Sequence, residues 1–177
     1  SVRDTTFPRL TYGVLPGIAI ATYNSSTDII TIDTSRVPYS NGKTWCNFWH
    51  ELTHPLLSRK SQEIGNGRWP GYSTANRLDF SLDDYGMQFV SEGLATYIGN
   101  GERNRNNVKW PATREELYCS DQHLLGNSLV VSIMDEFGAE AIPFMIRNPP
   151  RGAEVFNPRE WQNRIRGRII NSQRSRR

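Results

Sequence analysis

An α+β domain, strands first and helices after, is the fold class the sequence predicts, and three observations carry it. Two runs rich in β-branched residues, 17–23 and 28–33, flank the polar stretch Asn24-Ser25-Ser26-Thr27. From about Lys43 onward apolar residues recur instead at three- and four-residue intervals, the period of a helix buried along one side. The 177 residues suit one domain, 1–177, rather than two independent cores. Apolar residues make up 37% and charged residues 22%, ordinary globular usage that excludes a wholly disordered chain.

The first element is a β-hairpin, its two runs joined by the short polar loop. Asn41-Gly42 then marks a turn, and Trp45, Phe48, Trp49, Leu52 and Leu56 form the inner stripe of a helix, with Trp45 and Trp49 anchoring it against the sheet. Pro55 falls inside this helix. It removes a backbone hydrogen bond and disfavours helical geometry at His54, so the helix is expected to stop early or kink. A long irregular connection is expected over 58–81, punctuated by Gly65, Gly67, Pro70 and Gly71. A second helix follows, with Met87, Val90, Leu94, Tyr97 and Ile98 inward and Gly99-Asn100-Gly101 as its stop. Thr113 caps a short helix through Tyr118. A longer one runs from about Asp121 to Phe137, with Leu124, Leu125, Leu129, Ile133 and Met134 inward and Gly138 ending it. The last helix opens with Asn157 as cap, Pro158 at its first position and Glu160 beyond, and buries Trp161, Ile165 and Ile169.

Charge is distributed unevenly. Residues 151–177 hold eight arginines against Glu154 and Glu160, whereas the preceding 150 residues are slightly acidic. A basic end, strongest over 158–177, suits a solvated face, or contact with an acidic partner or nucleic acid. Trp161 is the only aromatic residue from 157 to 177, which argues against an RNA-stacking platform. The longest apolar stretches, 13–21 and 129–134, fall far short of the ~20 residues of a membrane-spanning helix, so a soluble chain is expected. Cys46 and Cys119 are too few for a disulfide framework. The sequence starts at Ser1 without an initiator Met, as after removal of a leader, which tips the expectation toward an exported protein.

The chemistry concentrates in His50-Glu51-Leu52-Thr53-His54. On a helix, histidines four residues apart lie one turn apart on one face, where their nitrogens can converge on a single Zn²⁺. Glu51, displaced around the helix, can reach a metal-activated water without being a ligand, the position of a general base. A catalytic site needs a third protein ligand and one position left for water. Glu92, in Ser91-Glu92-Gly93-Leu94-Ala95-Thr96, is the choice, since it projects away from the apolar stripe of its helix and the small Ala95 permits close helix approach. Asp83 and Asp84 are rival oxygen ligands, though the start of a helix also explains them. Cys46, one turn before His50, is an apolar core thiol or a soft ligand.

A hairpin, then His-Glu-x-x-His, then Ser-Glu-Gly-Leu-Ala-Thr resembles the gluzincin clan of zinc metallopeptidases, in particular its small members, over roughly residues 12–147. The resemblance implies His50, His54 and Glu92 as zinc ligands, Glu51 as base and proton shuttle, and Thr96 as a side chain supporting a zinc-bound imidazole. His123-Leu124-Leu125-Gly126 resembles the clan's Tyr-x-x-Gly segment with His in place of Tyr, which implies His123 as oxyanion donor; Tyr97 and Tyr118 stand in reserve. Residues 17–22 resemble the rim strand along which an extended peptide or protein substrate pairs. The expected activity is zinc-dependent hydrolysis of peptide bonds. The alternative, from a different class, is a non-catalytic scaffold with a structural zinc whose basic C-terminus binds an acidic partner or nucleic acid.

Overall fold

The computed structural model describes residues 9–13, 21–24, 27, 29–33, 42–65, 80–101 and 108–176. The chain is α+β and mostly helical, with one small sheet. The sheet holds β1 (Arg9–Tyr12), β2 (Ala21–Asn24) and β3 (Ile29–Ile32) in the order β1-β3-β2. β2 and β3 form the expected hairpin, with Ala21 opposite Ile32 and Tyr23 opposite Ile30; Asn24 Oδ1 accepts a hydrogen bond from Thr27 N at 3.2 Å to shape its turn. Residues 17–20 of the first run lie outside the described residues. Because side chains alternate along a strand, Ala21, Tyr23, Ile30 and Ile32 share one face, and Phe48 and Leu52 pack against it. β1, parallel to β3, is an addition the sequence does not announce: all four of its residues are exposed, so no alternation marks it.

Helix α1 (Gly42–Glu63) is about 33 Å long and continues through Pro55. The expected early stop does not occur. Pro55 is buried, and its lack of an N–H deprives only the carbonyl of Glu51 of a helical partner. The helix therefore absorbs 58–63 of the expected connection, while 66–79 lie outside the described residues. The expected stripe also fails in part. Trp49 is 52% and Leu56 45% exposed, so Trp49 does not anchor the helix, and the side chain of Trp45 lies outside the described residues. The reason is that α1 separates two layers. Phe48 and Leu52 face the sheet, Leu57 joins the helical core, and apart from Pro55 the other buried positions described are polar: His50, Thr53, Ser58 and Ser61.

The other layer is helical. It comprises α2 (Leu82–Ala95), α3 (Arg114–Cys119), α4 (Gln122–Phe137), α5 (Ile142–Arg147) and α6 (Pro158–Arg174). Ser81 and Asp84 close a capping box on α2, which gives Asp84 a local task, and Asp83 accepts from Gly152 N at 3.0 Å. α2 runs into a π-helical turn (Thr96–Asn100) ended by Gly101 at φ 68°, and Ile98 points outward. Thr113 and Asp121 cap α3 and α4 as the sequence predicts, Leu124 alone of the α4 stripe being exposed. At α6, Asn157 occupies the cap position without a capping bond to the backbone; its amide donates to Glu160 instead. Tyr85, Phe89, Leu94, Leu129, Ile133, Trp161, Ile165 and Ile169 fill the core. α2 and α4 cross at glycines: a Cβ on Gly93 would stand 2.1 Å from the carbonyl oxygen of Gly126. Gly93 rather than Ala95 provides the close approach. No described helix is long and apolar enough to cross a membrane.

Candidate metal centre

Three helices bring the site together, and each does so for a local reason. α1 presents His50 and His54 one turn apart. α2 presents Glu92 one residue before the glycine at its crossing with α4, and α4 presents His123 one turn before Gly126 on the other side of that crossing. The contact between the two glycines is therefore what brings His123 beside Glu92. On the far side, the π-helical turn lays Gly99 against α1, where a Cβ would stand 2.3 Å from the backbone nitrogen of His50. No other residue type fits between those backbones.

The polar atoms converge closely. His50 Nε2 and His54 Nε2 lie 3.3 Å apart; Glu92 Oε2 is 3.3 Å from the first and Oε1 3.6 Å from the second. A tetrahedral ion bonded to imidazole and carboxylate holds its ligand atoms about 3.3–3.6 Å from one another. The three side chains thus already have the spacing such an ion requires. Glu92 is 1% exposed, and although imidazole nitrogens of His123 and His50 lie 3.1 and 3.3 Å from its Oε2, neither makes a well-aligned hydrogen bond to it, which leaves that oxygen open to a cation. His50, His54 and Glu92 can together hold a metal ion.

Burial and mutual charge set the protonation of this cluster. Burial would raise the Glu92 carboxyl, but the imidazoles around it, His54 foremost with His123 and His50, outweigh it and hold Glu92 down at about 2. Burial pulls His54 down to about 4 against the opposing charge of Glu92. Both therefore stand in the form a metal ligand requires, anionic carboxylate and neutral imidazole. Burial also raises Glu51 to about 7; the charge of Glu92 adds to this, while His50 and a hydrogen bond from the backbone N–H of Tyr23 oppose it. Glu51 is thereby tied to the sheet and sits at a pKa suited to exchanging protons near neutrality.

The outer partners differ from those expected. His54 Nδ1 lies 2.9 Å from Ser91 Oγ, a contact that holds the ring with its Nε2 toward Glu92. Ser91 escapes sequence reasoning because its partner is 37 residues away; the only clue is a hydroxyl directly preceding the chosen glutamate. Thr96 is buried, but its Oγ1 makes no hydrogen bond, so the expected supporting contact is not formed. His123 Nε2 lies 3.1 Å from Glu92 Oε2, and Asp121 Oδ1 lies 3.6 Å from its Nδ1. Tyr97 is directed elsewhere, donating to Asp135 at 2.8 Å, and Tyr118 is exposed on α3. Cys46 is half-buried and Cys119 exposed, both as free thiols.

Fold and site together define an α+β protein with a buried two-histidine, one-glutamate cluster able to take a metal ion. Comparison with protein-family models, curated proteins and solved structures gives no significant match for the chain.

Proposed function

We propose that this protein is a zinc-dependent peptidase of the gluzincin kind, with His50, His54 and Glu92 as ligands and Glu51 as general base. The observation that carries the reading is the convergence of those three side chains at ligand spacing, with the intervening carboxylate of Glu51 beside them at a pKa of about 7. Zinc fits because neutral imidazole and carboxylate are its usual donors and three protein ligands leave one position open. Bound there, it supplies Lewis acidity, polarising a carbonyl and lowering the pKa of water. Glu51 takes the proton of the attacking water and delivers it to the leaving amine, while its bond to Tyr23 N–H keeps the carboxylate in place. His123, half exposed beside Glu92, is the donor for the developing oxyanion.

The substrate is an extended peptide. Among the described strands β2 is an edge, and Tyr23 N–H, bonded to Glu51, points away from β3; by the alternation of an antiparallel pair, the backbone of Ala21 faces the same side. A peptide adding there as a strand would lie alongside Glu51. The scaffold alternative loses ground at the basic end. Arg164 is held by Glu154 at 2.6 and 2.7 Å, and Arg166 by Glu136 at 2.8 Å, so two of its arginines are occupied in packing.

The test is metal content and turnover together. The purified chain should carry one zinc and cleave a mixed peptide library in a chelator-sensitive manner. Glu51→Gln should keep the zinc and lose cleavage; an equally active variant refutes the mechanism.

A further inference from the structure

The chain contains three histidines in all, and every one of them faces the same carboxylate. His50 and His54 reach Glu92 from α1, and His123 reaches it from α4. The rings of His123 and His50 are 5.3 Å apart, close to the 5.0 Å between His50 and His54. His123 Nε2 stands as near to Glu92 Oε2, at 3.1 Å, as His50 does at 3.3 Å. The set whose atoms all lie within 4.8 Å of one another is nevertheless His50, His54 and Glu92. His123 stands beside the triad without having joined it.

Two features leave it able to join. The His123 backbone is fixed, because its N–H and that of Leu124 donate to Asp121 Oδ1 at 2.9 and 3.2 Å, but its side chain is 52% exposed and free of the core. Asp121 also lies on the Nδ1 side of the ring, where the outer partner of a ligating imidazole commonly stands, leaving Nε2 for a metal. Three ligands make an open catalytic site and four a closed one, so the position of a single rotatable ring decides between them.

We propose that His123 is an exchangeable fourth ligand. Turning of its exposed side chain carries Nε2 from Glu92 to the position that solvent would otherwise occupy, closing the centre at rest and yielding it when substrate arrives. The displaced ring then takes a proton from solvent on Nε2 and returns to the rim, where that N–H serves as oxyanion donor. This rests on the zinc reading above and specifies how that centre is regulated.

Having only three imidazoles makes the test direct. The full chain, labelled with ¹⁵N at histidine, is titrated with zinc alone while the ring nitrogens are followed by NMR. Three rings are expected to take on the shift of a metal-bound nitrogen, and only two in His123→Gln. In His123→Ala, imidazole added to the solution should bind in place of the lost ring, an outcome that mere structural damage would not produce. A wild-type spectrum in which His50 and His54 move while His123 keeps the shift of an unbound ring overturns the proposal and leaves the zinc reading standing. A spectrum in which no ring moves overturns the zinc reading and this proposal with it. The wild-type spectrum alone decides should either variant fold poorly.

Discussion

Ser91 and Glu51 carry the most specific consequences at the level of single side chains. Ser91 orients His54 without belonging to the triad, so Ser91→Ala should weaken zinc binding about 10–100-fold with an unchanged circular dichroism spectrum. Competition with a chromogenic chelator measures this. Thr96→Ala, lacking any bond to lose, should leave the affinity where it was. The buried ionisable groups also predict an unusual pH profile for the metal-free protein. Glu51 is raised from 4.5 to about 7, so the folded state holds a proton that the unfolded chain releases, and its contribution to stability falls as pH rises through that window. His54 is lowered from 6.5 to about 4, so its contribution rises with pH between those values. The two slopes oppose each other, leaving urea midpoints nearly level from about pH 4.5 to 6.5. Glu92, lowered from 4.5 to about 2, contributes stability that is lost as pH falls below 4.5. Glu51→Gln should remove one slope and expose the other, giving midpoints that climb with pH between about 4.5 and 6.5; a flat profile in the variant contradicts this assignment.

Among the elements, the crossing of α2 and α4 is the point that tolerates least. Gly93→Ala would drive a methyl into the carbonyl of Gly126 and should cost about 1–3 kcal/mol in chemical denaturation, with loss of zinc affinity as Glu92 shifts. Gly167 of α6 meets nothing within 4 Å, and Gly167→Ala should stabilise by about 0.5–1 kcal/mol. Elements of this second kind were the legible ones. Trp161, Ile165 and Ile169 recur along a helix with a single buried face, and Thr113 and Asp121 cap their helices through contacts within three residues. The triad was legible for the same reason on α1, where two ligands share one turn. α1 as a packing element was not, because it buries opposite faces in different layers and several of its inner positions are hydroxyls and imidazoles, so the aromatic spacing led to Trp49, which is exposed. β1 has no alternation to read, and the Ser91–His54 bond depends on how two helices cross.

At the scale of the whole molecule, α1 lies between a small apolar cluster under the sheet and the larger helical core. A zinc ion joining α1 to α2 would link the element that spans the layers to the main core. Zinc at 100 times its Kd should therefore raise the unfolding free energy by about 2.7 kcal/mol, chelation should reverse this, and His50→Ala should abolish the difference. The sheet is bound to the chemistry in another way, through the Tyr23 amide that donates to Glu51. That donor belongs to the main chain, so no ordinary exchange of side chain at position 23 removes it. Only an imino acid there, or an ester in place of the amide, would cut the tether. A change of side chain at position 23 would therefore disturb the small apolar cluster beneath the sheet and still leave the grip on the carboxylate intact.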